Sequence, residues 1–136
     1  QRQMCIRDSQ NANEIQLNMH PEIKIKADAA LFSEAISNLL HNAIKYGESD
    51  EPIVVKSNKQ SGVEISIENR GTIIPQKYRE RIFQRFFTVD KSRSREKGGT
   101  GLGLSIVKHI VLVHGGTIRY DSDNKKMNRF IISLPN

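Results

Sequence analysis

Four glycines fall within the six positions Gly98-Gly99-Thr100-Gly101-Leu102-Gly103, and the run continues directly into the apolar series Leu104-Ser105-Ile106-Val107. Glycine lets the backbone curl and leaves N–H groups uncovered, so such a loop can wrap the oxygens of a phosphate. A helix opening there adds the positive end of its dipole. A second set of chemistry-bearing residues lies upstream. At about 100° per residue, Asn38, Asn42 and Lys45 fall within an arc of roughly 60° on one side of a helix. Two carboxamides and an ammonium stacked this way can hold a hydrated hard cation and a phosphate together, because Mg²⁺ takes oxygen ligands, keeps waters and shares substrate phosphates. Each feature alone has a plainer reading: the glycines as a hinge, the polar stripe as a solvated helix face.

The glycine loop departs from the two commonest phosphate motifs. A Walker loop closes on Gly-Lys-Ser/Thr, and here Leu104-Ser105 closes it. A dinucleotide fingerprint needs a buried strand just before the glycines. What precedes them is the charged run Asp90-Lys91-Ser92-Arg93-Ser94-Arg95-Glu96-Lys97. That composition suits a mobile lid better than a strand.

Composition narrows the classes. A chain of 136 residues forms one domain with a core of ordinary size. No apolar run reaches membrane-spanning length. A single cysteine, Cys5, excludes a disulfide framework and a cysteine zinc site. The net charge of +6 would suit a nucleic-acid binder, but no aromatic-studded strand or docking motif accompanies it. The bases concentrate in Lys77–Lys97, where Lys91, Arg93, Arg95 and Lys97 of the lid and the neighbouring Arg85 can meet a polyanion.

The elements that must position these groups follow from periodicity. Residues 1–9 follow neither helical nor strand spacing and are set aside as a non-native or disordered leader, leaving 10–136 as the domain. Glu14–Met19 alternates like a strand, and Ile23-Lys24-Ile25-Lys26 does so again. Asp28 is an N-cap for a helix to about Tyr46, with Gly47 just past its end. Its apolar ridges are Leu31-Ala35-Leu39-Ala43 and Phe32-Ile36-Leu40-Ile44. Ile53–Ser57 and Val63–Asn69 read as a hairpin pair. Pro75 opens a helix over Gln76–Phe87. A further helix runs over Leu102–His114, and strands Thr117–Asp121 and Arg129–Leu134 close the chain. The predicted fold is an α/β two-layer sandwich: a mixed sheet with helices on one face and a mobile lid.

Together these motifs resemble one family. Asn38-Leu39-Leu40-His41-Asn42-Ala43-Ile44-Lys45-Tyr46 is similar to the N box of the ATP-binding catalytic domain of bacterial sensor histidine kinases, the Bergerat-type fold shared with DNA gyrase and the heat-shock chaperone ATPases. Ile82-Phe83-Gln84-Arg85-Phe86-Phe87 resembles its F box, and Gly99-Thr100-Gly101-Leu102-Gly103-Leu104 its second glycine box. His114-Gly115-Gly116 and Ser133-Leu134-Pro135 also sit where the family has them. The resemblance covers about Ile15 to Pro135.

The resemblance implies ATP and Mg²⁺ as cofactors. Asn42 would coordinate Mg²⁺ bridging the phosphates, Lys45 would contact phosphate and Tyr46 would flank the nucleotide. The amides of Gly101, Leu102 and Gly103 would cradle phosphates, with Thr100 and Leu104 completing the box and Arg85 beside the lid. Asn38 stands where gyrase-type relatives put a water-activating glutamate. An asparagine cannot act as that base, so with Asn38, Asn42 and Lys45 as the catalytic set the implied reaction is phosphoryl transfer rather than hydrolysis. The acceptor histidine would lie on a separate dimerisation domain, and a response regulator would be served through the whole protein. That setting implies a cytoplasmic domain of an inner-membrane sensor, without nucleic acid or direct membrane contact.

One motif departs from the family. Where it reads Asp-x-Gly-x-Gly-Ile-Pro, this chain has Asn69-Arg70-Gly71-Thr72-Ile73-Ile74-Pro75. Asn69 therefore takes the adenine-reading position and Ile73 that of the second glycine, with Gly71 and Ile74 in the same base-binding loop. Strand parity puts Val63, Ile65, Ile67 and Asn69 on one face and Glu68 on the other. Because Asn69 and Ile73 are unusual, a non-catalytic nucleotide-sensing domain stands as the alternative. His20, His41 and His109 lack ligand partners at metal spacing, His114 reads as a structural helix end, and Phe83 and Phe86 read as core anchoring the lid.

Overall fold

The computed structural model describes residues 2–7, 14–48, 50–60, 62–87, 103–123 and 126–135. The predicted lid, Thr88–Thr100, and the amides of Gly101 and Leu102 lie outside the described residues.

Six strands form one sheet in the order β1-β2-β3-β4-β6-β5. They are β1 (Arg2–Arg7), β2 (Glu14–Met19), β3 (Ile53–Gln60), β4 (Gly62–Arg70), β5 (Thr117–Ser122) and β6 (Met127–Leu134). Helix α1 (Ala29–Tyr46) connects β2 to β3, and α2 (Gly103–Val113) precedes β5. β2 and β3 run parallel, as a helical crossover requires, and the other neighbours are antiparallel.

Strand alternation decides which face carries the core. Val63, Ile65 and Ile67 of β4 stand opposite Leu134, Ile132 and Phe130 of β6, and all are buried. Ala35, Leu39 and Ala43 of α1 and Val107, Ile110 and Val111 of α2 close over them. Leu39 is 1% exposed, and truncating it would leave a cavity between the layers. Leu39→Ala is expected to lower unfolding free energy by about 2–5 kcal/mol in a urea titration; a change under about 1 kcal/mol would contradict this packing.

The other face of the sheet is polar. Glu68, 5% exposed, accepts from Arg129 Nε at 2.6 Å and pairs with Lys56 Nζ at 3.1 Å. Arg129 also reaches Asp121 at 3.7 Å. A carboxylate this deep is tolerable because two cations meet it.

The helix ends use the signals the sequence carries. Asp28 Oδ1 accepts from Leu31 N at 3.0 Å as the N-cap of α1. Gly115 has φ +75° just past α2, where Gly116 N–H donates to Val111 O at 2.9 Å and Gly115 N–H to Leu112 O at 3.0 Å. This pair of bonds is the Schellman stop. His114 ties the two helices together: Nδ1 donates to Ile110 O at 2.7 Å and Nε2 accepts from Asp28 N at 3.0 Å.

Five expectations change. Residues 2–7, set aside as leader, pair with β2 as an edge strand, which needs backbone partners rather than alternation. Ile23–Lys26 is not a strand, because both edges of β2 are already occupied by β1 and β3. Its alternation instead reflects Ile23 and Ile25 packing on the core. The predicted helix Gln76–Phe87 is a 3-10 turn over Gln76–Tyr78 followed by irregular turns, ended by Phe86 at φ 64°. Phe83 packs edge-on to Phe130 at 6.2 Å, but Phe86 is 64% exposed and does not join the core. Leu31, on a predicted apolar ridge, is 37% exposed in the first turn of α1.

Candidate nucleotide site

The site forms where the end of α1 meets the end of β4. Gly47 and Gly71 form an isolated antiparallel bridge, and Glu48 N–H donates to Arg70 O at 2.8 Å. Side chains cannot intervene here. A Cβ on Gly71 would stand 2.6 Å from Tyr46 O, and one on Gly47 would stand 3.1 Å from Asn69 Nδ2. The end of α1 is thereby drawn against the loop that follows β4. A cleft of about 370 Å³ opens beside the bridge, lined by Glu48, Gly71, Thr72, Ile73 and Lys126.

Asn69 is 5% exposed. Its Nδ2 makes a long contact to Arg70 O at 3.5 Å, and its Oδ1 accepts nothing among the described residues. A buried carboxamide oxygen without a donor is unfavourable unless a ligand supplies one. On α1, Asn38, Asn42 and Lys45 are half-buried rather than fully solvated. Asn38 Oδ1 approaches the start of α2, where a Cβ on Gly103 would lie 3.8 Å away. Lys45 Nζ sits 5.4 Å from the centre of the Tyr46 ring. Leu104 packs on the core. Arg85 is exposed, 5.4 Å over the Phe86 ring. The structure thus brings Asn38 to Gly103, and Tyr46 and Gly47 to Asn69 and Gly71. Thr100, Gly101 and Leu102 are outside the described residues.

A group that sequence reasoning missed secures the loop that follows β4. Ile74 N–H donates to the Tyr120 hydroxyl at 3.1 Å, and that hydroxyl donates to Asn128 Oδ1. Arg79 donates from Nε to Ile74 O at 3.1 Å and from Nη2 to Ser122 Oγ at 2.8 Å, with its guanidinium 5.2 Å over the Tyr120 ring. Burial pushes the Tyr120 hydroxyl above its usual pKa, so it stays protonated and able to donate. No local motif marks these residues. They converge only because β6 lies between β4 and β5.

Among the described residues, no group of three or more His, Cys, Asp or Glu converges as a metal site. Nor is any helix among them long and apolar enough to cross a membrane.

A mixed sheet with helices on one face, an asparagine-bearing helix reaching a glycine-opened helix, and a buried carboxamide where the end of the first helix meets β4 define a nucleotide-binding α/β domain. Residues 27–136 match the family described as histidine kinase-, DNA gyrase B-, and HSP90-like ATPase, and the chain belongs to that family. It is 42% identical over 113 residues to the sensor-like histidine kinase SenX3 of Mycolicibacterium smegmatis, covering 82% of this chain and 29% of the relative. It is also 42% identical over 113 residues to the sensor histidine kinase CusS of Escherichia coli K12, covering 82% and 23%. The solved structure of the mycobacterial sensor histidine kinase MprB matches with a TM-score of 0.77 at 29% identity, over 89% of this chain and 80% of that one. The catalytic domain of the histidine kinase ThkA matches with a TM-score of 0.72 at 29% identity, over 88% and 78%. The chain corresponds to the ATP-binding catalytic domain of sensor histidine kinases, and spans 29% and 23% of the two curated relatives above.

Proposed function

We propose that this domain binds Mg-ATP and presents the γ-phosphoryl group to a histidine on a dimerisation domain of its parent protein. The observation that carries the reading is the buried Asn69 oxygen lacking a donor, set where the end of β4 meets the end of α1, the helix that bears Asn42 and Lys45. Bound ATP would supply the activated phosphoryl group. Asn69 accepts from the base and Tyr46 flanks the nucleotide. Lys45 neutralises phosphate charge, and the opening turn of α2 offers its N–H groups at Gly103, with Gly101 and Leu102 before it. Asn42 is the residue suited to Mg²⁺. Its carboxamide has no hydrogen-bond partner among the described residues, and a hard cation completes its shell with phosphates and water rather than a protein cage. Asn38 cannot deprotonate water, so positioning and charge stabilisation carry the chemistry.

The same reading places the domain on the cytoplasmic side of an inner-membrane sensor, with a response regulator as the downstream partner of the whole protein. Calorimetric titration with ATP, with and without Mg²⁺, tests it; no heat of binding in either arm would refute it. Asn69→Asp provides a sharper check. Asn69 Oδ1 takes the adenine amino hydrogen, but rotation of the carboxamide offers Nδ2 to a guanine carbonyl. An aspartate offers only acceptors, so the variant is expected to prefer ATP over GTP more strongly, by about 1.5–3 kcal/mol at most. An unchanged preference would remove Asn69 from the base.

A further inference from the structure

Asn128 is the register partner of Asn69 across β4 and β6, and both are 5% exposed. Both belong to the face of the sheet that carries the helices. Their unused atoms are opposite in kind. Asn69 has an Oδ1 that accepts nothing among the described residues. Asn128 has its Oδ1 taken by the Tyr120 hydroxyl, and its Nδ2 donates to nothing among the described residues. The Tyr120 oxygen accepts the Ile74 N–H and donates its single proton to Asn128 Oδ1. That bond turns the Asn128 amide so that Nδ2 remains the available donor.

We propose that Asn128 reads the ring nitrogen of adenine beside the amino group, while Tyr120 acts as the positioning residue that keeps Asn128 a donor. This rests on the assignment of Asn69 to the adenine amino group. One buried acceptor next to one buried donor complements the amino-plus-imine edge of adenine. Guanine presents a carbonyl and an N–H there, the reverse order, and would leave both asparagines mismatched unless both turned. Tyr120 opposes that turn at Asn128. The arrangement compensates for the carboxamide at position 69, which alone discriminates poorly.

Calorimetry on the purified chain with ATP, GTP and 1-deaza-ATP, which lacks the ring acceptor, tests the assignment. Wild type is expected to bind 1-deaza-ATP about tenfold more weakly than ATP, as loss of one buried hydrogen bond implies. Asn128→Ala should bind the two alike, and Tyr120→Phe should lose most of the ATP-over-GTP preference. Equal wild-type affinity for ATP and 1-deaza-ATP would overturn the proposal, as would a difference that persists in Asn128→Ala. The wild-type comparison needs no mutant to fold. If Asn69→Asp still shifts the ATP-to-GTP preference in that event, the Asn69 assignment stands and only Asn128 fails. If neither analogue nor variant changes anything, both assignments fall.

Discussion

Asn42→Ala is expected to bind ATP with an affinity that no longer responds to Mg²⁺. Asn42 is half-buried one helical turn beyond Asn38, whose oxygen approaches the start of α2. It therefore stands on the side of α1 turned toward the opening of the glycine-led helix. A hard cation there must draw its protein ligand from a neutral oxygen, since no acidic or histidine cluster exists among the described residues. Removing that oxygen should weaken Mg-ATP binding by roughly ten- to hundredfold, while binding of metal-free ATP changes little. The fold should be unaffected, because the carboxamide has no hydrogen-bond partner among the described residues. Equal Mg²⁺ enhancement in wild type and variant would remove Asn42 from the metal.

Gly71→Ala is expected to damage binding and stability together. The added methyl would stand 2.6 Å from Tyr46 O and 3.2 Å from Gly47 Cα, and both are backbone atoms that cannot rotate away. The end of α1 must then separate from the end of β4. Overpacking of this kind lowers stability by about 1–3 kcal/mol. The displacement also carries Tyr46 away from Asn69, so ATP affinity should fall by more than about tenfold even where the variant remains folded. Denaturation midpoint and calorimetric affinity, measured on the same preparation, check both parts. A variant with wild-type values in each would show that the two segments are not held by this contact.

Much of the frame around the candidate site was legible because its signals are local. Asp28 and Gly47 bracket α1, and the glycine stop at Gly115 ends α2. Strand parity placed Asn69 on the core side and Glu68 opposite, as the register shows. Local pattern failed where long-range geometry decides. Ile23–Lys26 alternates like a strand, but both edges of the adjoining β2 are taken by β1 and β3. Tyr120 and Asn128 each look like ordinary strand residues. The chain of bonds from Ile74 through Tyr120 to Asn128 depends on β6 entering between β4 and β5, which no spacing in the sequence announces. The glycine box was the clearest chemical signal, yet of its residues only Gly103 and Leu104 are described.

The position of β6 also bears on how the domain comes into being during translation. Among the described strands it is made last, yet it fills an interior place in the sheet. Until it emerges from the ribosome, β4 and β5 lack their common neighbour, and Val63, Ile65 and Ile67 lack the opposing row of Phe130, Ile132 and Leu134. A nascent chain stopped before residue 127 would display that apolar face to chaperones. Nucleotide competence should therefore arrive late in synthesis and abruptly, because the same strand completes the core and brings Asn128 beside Asn69.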